Sequence, residues 1–205
     1  MKSIFRYTIF VVLTGLSLVQ IASAQDKAGD VSASKNTAAV NTTKNSEIVF
    51  PDVEGWVRDE IYTYPTKELG YSVNYQSREG GKVTLYVYNG GHKTIPNGIA
   101  DNLPKGEIEI AKDELNQVGR MGIYQDLKEV KSDAITLGGS SGKVKSLYSL
   151  FNFKLRGNVM TSEIYLFGYN NNFIKLRATR PKEAEGTVNK ALAKLLAALD
   201  ETFSK

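Results

Sequence analysis

The sequence predicts an α+β domain. An antiparallel β-sheet, built from a hairpin plus a three- to four-strand meander, packs with one long central helix and one C-terminal helix. Three observations carry this reading. Residues 71–88 alternate apolar and polar side chains with the period of a half-buried strand, interrupted once by a turn. Residues 106–127 then place apolar side chains at three- and four-residue steps. From residue 134 the short period returns, broken by Asn- and Gly-rich turns, until a last helical stripe closes the chain.

In chain order, residues 1–24 read as a signal peptide. Lys2 and Arg6 give a positive start, an apolar run follows, and Ala22-Ser23-Ala24 supplies the small residues that a signal peptidase accepts. The run is nearer the length of a signal core than the ~20 residues that span a bilayer. Residues 25–46 hold Ala, Ser, Thr, Asn, Lys and Asp with little to bury, and are expected to form a flexible linker. Residues 47–205 are expected to form a single domain, long enough for one core.

Within it, Pro51 to Trp56 forms a lead-in segment with Trp56 as its large anchor, and residues 61–64 are a short strand ended by Pro65. Tyr71, Val73 and Tyr75 alternate with Ser72, Asn74 and Gln76. After the turn at Arg78-Glu79-Gly80-Gly81, Val83, Leu85 and Val87 alternate with Thr84, Tyr86 and Tyr88. These two runs pair as a hairpin. Ile108, Ala111, Leu115, Val118 and Gly122 then mark one stripe of a helix over 106–127, in which Gly119 and Gly122 suggest a kink or a close approach to the sheet. Strands follow at 134–137, 144–155, 159–168 and 173–179, separated by Gly138-Gly139-Ser140-Ser141-Gly142, Arg156-Gly157-Asn158 and Tyr169-Asn170-Asn171-Asn172. Pro181 opens the last helix, whose apolar face is Val188, Ala191, Leu192, Leu195, Leu196, Leu199 and Phe203. Its polar side carries Lys190, Lys194, Asp200 and Glu201.

Composition excludes several function classes. With Lys2 and Arg6 removed, the net charge falls from +4 to +2, and no block of like charge stands out, so nucleic acid is not an expected partner. There is no cysteine, which removes thiol chemistry, disulfides and Cys-based metal sites; a single histidine removes His-rich ones. Asp-x-Asp-x-Asp-Gly calcium spacing is absent. No cofactor, metal, or membrane span after cleavage is expected.

Two motifs match in letters only. Gly138-Gly139-Ser140-Ser141-Gly142 has the G-x-S-x-G form of a nucleophile elbow, but that motif needs a strand turning into a helix and a histidine downstream. Here a strand follows, and His92 lies upstream. Lys112-Asp113-Glu114-Leu115 spells a retention signal, which is read only at a free C-terminus.

The candidate binding residues are Tyr86, Tyr88 and His92. Asn89-Gly90-Gly91-His92-Lys93 sets a glycine pair, the sole imidazole and a lysine after a strand, where a ligand site or a plain exposed loop would both fit. Ten of the eleven tyrosines lie beyond the leader, and Tyr86, Tyr88 and Tyr165 stand on the strand faces opposite the aliphatic ones. Tyrosine suits binding surfaces, and equally a sheet covered by helices on both sides.

The element order resembles the PsbP-like fold, seen in the extrinsic photosystem protein and in a nuclear Ran-binding protein. The resemblance spans residues 49–203. It rests on Gly70-Tyr71-Ser72-Val73, Ile135-Thr136-Leu137-Gly138, Leu166-Phe167-Gly168-Tyr169 with Phe173-Ile174-Lys175-Leu176-Arg177, and Leu199-Asp200-Glu201-Thr202-Phe203. It implies a binding or accessory module and transfers no ligand residue. The expectation is therefore a secreted or periplasmic, non-enzymatic protein contacting a protein or envelope component through its sheet edge or the His92 loop. The alternatives are a small-ligand or glycan binder using surface tyrosines, and an enzyme built on carboxylates.

Overall fold

The computed structural model describes residues 48–205; the expected signal peptide and linker lie outside the described residues. The strands are β1 (Trp56–Arg58), β2 (Tyr62–Thr63), β3 (Tyr71–Ser77), β4 (Lys82–Tyr88), β5 (Gln125–Thr136), β6 (Lys145–Leu155), β7 (Asn158–Tyr169) and β8 (Asn172–Pro181). Helix α1 (Asn102–Arg120) separates β4 from β5, and α2 (Glu185–Phe203) follows β8. One eight-stranded antiparallel sheet results, in the order β1-β3-β4-β8-β7-β6-β5, with β2 pairing to β3. The predicted hairpin and meander are both present. They are joined by β4 against β8, where Lys82 faces Thr179 and Tyr88 faces Phe173.

The helices lie on opposite faces of this sheet, so alternation along the central strands sorts residues between two cores. Val83, Leu85 and Val87 join Tyr165, Phe167, Ile174 and Leu176 beneath α2, which contributes Val188, Leu192, Leu195, Leu199 and Phe203. On the other face Phe151, Phe153, Ile164, Leu166 and Phe173 meet Ile108, Ala111, Leu115 and Val118 of α1. Trp56 anchors the lead-in segment by donating its indole N–H to the Ala191 carbonyl at 3.0 Å. Leu195 is wholly buried. Leu195→Ala should cost about 2–5 kcal/mol, the range for emptying a packed leucine site. A thermal shift no larger than that of the surface variant Lys194→Ala would show that α2 is not docked.

Several features differ from the sequence expectation; the last helix, for one, opens at Glu185 after a 3-10 turn over Lys182–Ala184, and not at Pro181, which ends β8. Helix α1 runs over Asn102–Arg120 and not over 106–127. It starts earlier because the Asp101 carboxylate accepts the Leu103 N–H at 2.8 Å, and Pro104 sits in the first turn, where its missing N–H is not needed. It stops earlier because Gly122, at φ 75°, takes the left-handed turn after the C-cap: Gly122 N–H bonds the Gly119 carbonyl and Ile123 N–H the Val118 carbonyl. Gly122 is thus a stop and not a kink. Strand β5 is correspondingly long, reaching back to Gln125 where only 134–137 was expected. It is the terminal strand, exposed along most of its length, and its register shifts twice against β6. Charges and bulges of this kind protect an edge from pairing with other chains. Finally, Asp200 is buried instead of lying on the polar side of α2. Its carboxylate accepts the backbone N–H groups of Lys143 and Val144 at 2.9 and 2.8 Å, fixing the turn from β5 to β6.

Candidate functional site

The β4 strand ends at Tyr88, and the chain then travels without regular structure to Asp101. Such a loop ordinarily moves. This one is tied at several points. Gly90 N–H donates to the Glu68 carbonyl at 2.9 Å, and Gly91 N–H to the Asn89 side chain at 2.9 Å. The Asn171 amide is a double clamp: its oxygen accepts Ile95 N–H at 2.7 Å and its nitrogen donates to the Lys93 carbonyl at 3.1 Å. Asn97 accepts the Asn170 N–H at 2.9 Å. Gly98 and Gly168 exchange both backbone hydrogen bonds, at 2.8 and 2.9 Å. This last contact demands glycine at 168, because a Cβ there would stand 1.9 Å from the Pro96 carbonyl oxygen. Ile95 is buried beneath the loop.

The clamped loop presents His92 and Lys93 to solvent. The His92 ring stands edge-on to Phe173, centroids 5.7 Å apart. The Tyr88 ring lies tilted against the same phenyl ring, centroids 5.6 Å apart. Phe173 therefore brings two of the three predicted binding residues together. Tyr88 is nevertheless turned inward: its hydroxyl donates to the Glu107 carboxylate of α1 at 2.7 Å. Burial, and after it the Glu107 charge, pushes its phenol well above the ordinary value.

Tyr86 lies two residues back on the same strand face and is only 6% exposed. The Lys175 ammonium sits over the rings of both tyrosines, 5.2 Å from the centroid of Tyr86 and 5.4 Å from that of Tyr88, and pairs with Glu114 at 3.3 Å. Burial alone would depress Lys175, but the Glu114 carboxylate, with Tyr86 and Glu107 behind it, holds the ammonium above its usual value. The free space enclosed by Tyr86, Ala111, Glu114, Lys175 and Arg177 is about 20 Å³. That accommodates one water molecule.

Sequence reasoning thus located the loop and its imidazole but missed Lys175, Glu107 and Glu114, which fix the two tyrosines, and Asn97 and Asn171, which fix the loop. Lys175 had a visible signal: it alternates with Ile174 and Leu176 in a strand that helices cover on both faces. Ser140 and Ser141 lie exposed in a 3-10 turn between two strands, the wrong setting for a nucleophile elbow. Among the described residues no group of three or more His, Asp and Glu side chains is placed to hold a metal ion.

No protein-family model matches the chain, and no curated protein matches it. Among solved structures it is similar to the solution structure of cyanobacterial PsbP (CyanoP) from Synechocystis sp. PCC 6803. The identity is 10% and the TM-score 0.44, over 74% of this chain and 79% of that one. PsbP is the fold group that the sequence resembles. At this identity and superposition the likeness transfers no residue, partner or activity to this chain.

Proposed function

We propose that the chain is an exported, non-enzymatic accessory protein that contacts a protein or envelope component through the loop carrying His92 and Lys93. The observation that carries this reading is the clamping of that loop. A glycine-rich connection without regular structure is held by five side chain–backbone and backbone–backbone anchors, yet its two ionisable side chains are left facing solvent. Order of this kind costs conformational entropy in the folded chain. It is recovered on association, because a preorganised surface has less freedom to lose when a partner binds. Export rests on the charged, apolar and small-residue pattern of residues 1–24. Among the described residues no helix is long and apolar enough to cross a membrane.

The test is site-directed photocrosslinking in living cells, with the probe at position 92 and, as control, at Arg156 in the exposed β6–β7 turn at the opposite end of the sheet. Position 92 should yield a discrete adduct that position 156 does not. The same full-length protein should show no turnover in an esterase screen. Equal labelling from both positions, or turnover that disappears with Ser140→Ala, would overturn the reading.

A further inference from the structure

Both Asn-Gly dipeptides of the sequence, Asn89-Gly90 and Asn97-Gly98, lie in the loop that presents His92. In this pair an asparagine side chain closes readily on the backbone, because glycine sets no side chain against the ring that forms. The glycine nitrogen bonds to the asparagine Cγ, and the nitrogen's proton leaves with the side-chain amide as ammonia. Water then opens the five-membered imide at either carbonyl, giving aspartate or isoaspartate. The attacking atom is a peptide nitrogen, so the partner of its N–H in the fold decides whether the ring can close.

At Asn97-Gly98 both reacting groups are held by the end of β7 and the turn after it. The Gly98 N–H donates to the Gly168 carbonyl at 2.8 Å, and the Gly98 carbonyl accepts the Gly168 N–H at 2.9 Å. The Asn97 side-chain oxygen accepts the Asn170 N–H at 2.9 Å. Asn97 is otherwise exposed, and its amide nitrogen, the leaving group, donates no hydrogen bond among the described residues. Lifting the loop from β7 therefore frees nucleophile and side chain together. Asn89 is set differently. It is half-buried, its side-chain oxygen accepts the Gly91 N–H, its carbonyl accepts the His92 N–H, and the Gly90 N–H goes to Glu68. None of these bonds reaches β7.

The two products differ in what they do to the loop. Aspartate at 97 keeps an oxygen for the Asn170 N–H. Isoaspartate routes the main chain through Cβ and Cγ and adds a carbon between residues 97 and 98. The contact has no slack for it, since a Cβ at Gly168 would already stand 1.9 Å from the Pro96 carbonyl oxygen. We propose that Asn97-Gly98 is a self-modification site, guarded while the loop is seated on β7 and converted to isoaspartate when it lifts, after which the loop cannot reseat. Its rate follows the fraction of time the contact is open. For the partner-contact role proposed above, on which this consequence rests, the site is a one-way timer: a converted chain has lost the preorganised loop.

The test incubates the full chain in mildly alkaline buffer and follows Asn97 and Asn89 by peptide mass spectrometry, with the urea-unfolded chain as reference. In the folded wild type Asn97 should convert at least about tenfold more slowly than in urea. Asn171→Gly removes both side-chain bonds of the double clamp, and glycine accepts the φ of 61° at that position. It should speed conversion of Asn97 about tenfold, the population shift that two lost hydrogen bonds produce, and leave Asn89 within about twofold. Asn97→Asp should keep amide-exchange protection at Ile95 and Gly98, whereas wild-type protein aged to isoaspartate should lose it. Conversion of folded Asn97 as fast as in urea would overturn the proposal. So would equal acceleration of Asn89 and Asn97, or isoaspartate material with its protection intact. A discrete adduct from position 92 alongside any of these results would leave the partner reading standing and this one refuted.

Discussion

Gly168→Ala should destabilise the domain by about 3 kcal/mol or more, at the upper end of the cost of overpacking. The added carbon would meet the Pro96 carbonyl oxygen at 1.9 Å, and that oxygen belongs to backbone and not to a flexible side chain. It cannot swing aside without breaking the paired Gly98–Gly168 hydrogen bonds. Because these bonds seat the loop, the variant should also lose amide-exchange protection at Ile95 and Gly98 before it unfolds globally. It should lose the crosslink from position 92 as well. A melting temperature and exchange profile equal to wild type would mean that the loop is not seated on β7.

Glu163→Ala should cost about 3–5 kcal/mol, the price of stranding a buried charge. Glu163 on β7 and Arg180 on β8 form an ion pair at 2.7 Å, their side chains 10% and 5% exposed. The Tyr165 hydroxyl donates to the second Glu163 oxygen. Burial, and then the Glu163 charge, raises the Tyr165 phenol far above its ordinary value, so it remains a donor at any pH the protein meets. Arg180 Nε and Nη1 are buried with no partner among the described residues, so Glu163 supplies the compensation this guanidinium has. Arginine cannot shed its proton to escape. Denaturant unfolding of Glu163→Ala, Arg180→Met and the double variant separates the terms. The double variant should recover much of the loss, because neither charge is then buried alone. A single-variant cost under about 1 kcal/mol would identify the pair as an ordinary solvated one.

Most of the fold was legible in the sequence, for a physical reason that also marks where legibility ends. Strands β3 and β4, β6 to β8 and helix α2 each bury a continuous apolar face, so period and burial coincide. Strand β5 does not. As the exposed terminal strand it carries Lys128, Glu129, Lys131 and Asp133 with no alternation, and only its last residues read as strand. The end of α1 was obscured because a glycine that stops a helix and one that bends it look alike in one dimension. Tyr86 and Tyr88 could be placed on a strand face, but whether that face met water depended on α1. The loop anchors were out of reach for another reason. Asn171 clamps Ile95 across 76 positions, and nothing local in either segment marks the pairing.

The pairing of β4 with β8 sets the order in which this chain can be built. The first hairpin is local in sequence, yet its inner edge pairs with the last strand of the domain. Contacts so distant along the chain pay their loop-closure entropy before they return any packing. Helix α2, which covers the joined strands, comes later still. Folding is therefore deferred to the C-terminus. A chain that ends before β8 leaves β4 and β7 without the strand that joins them. Completion of β8 and α2 then commits the whole sheet at once.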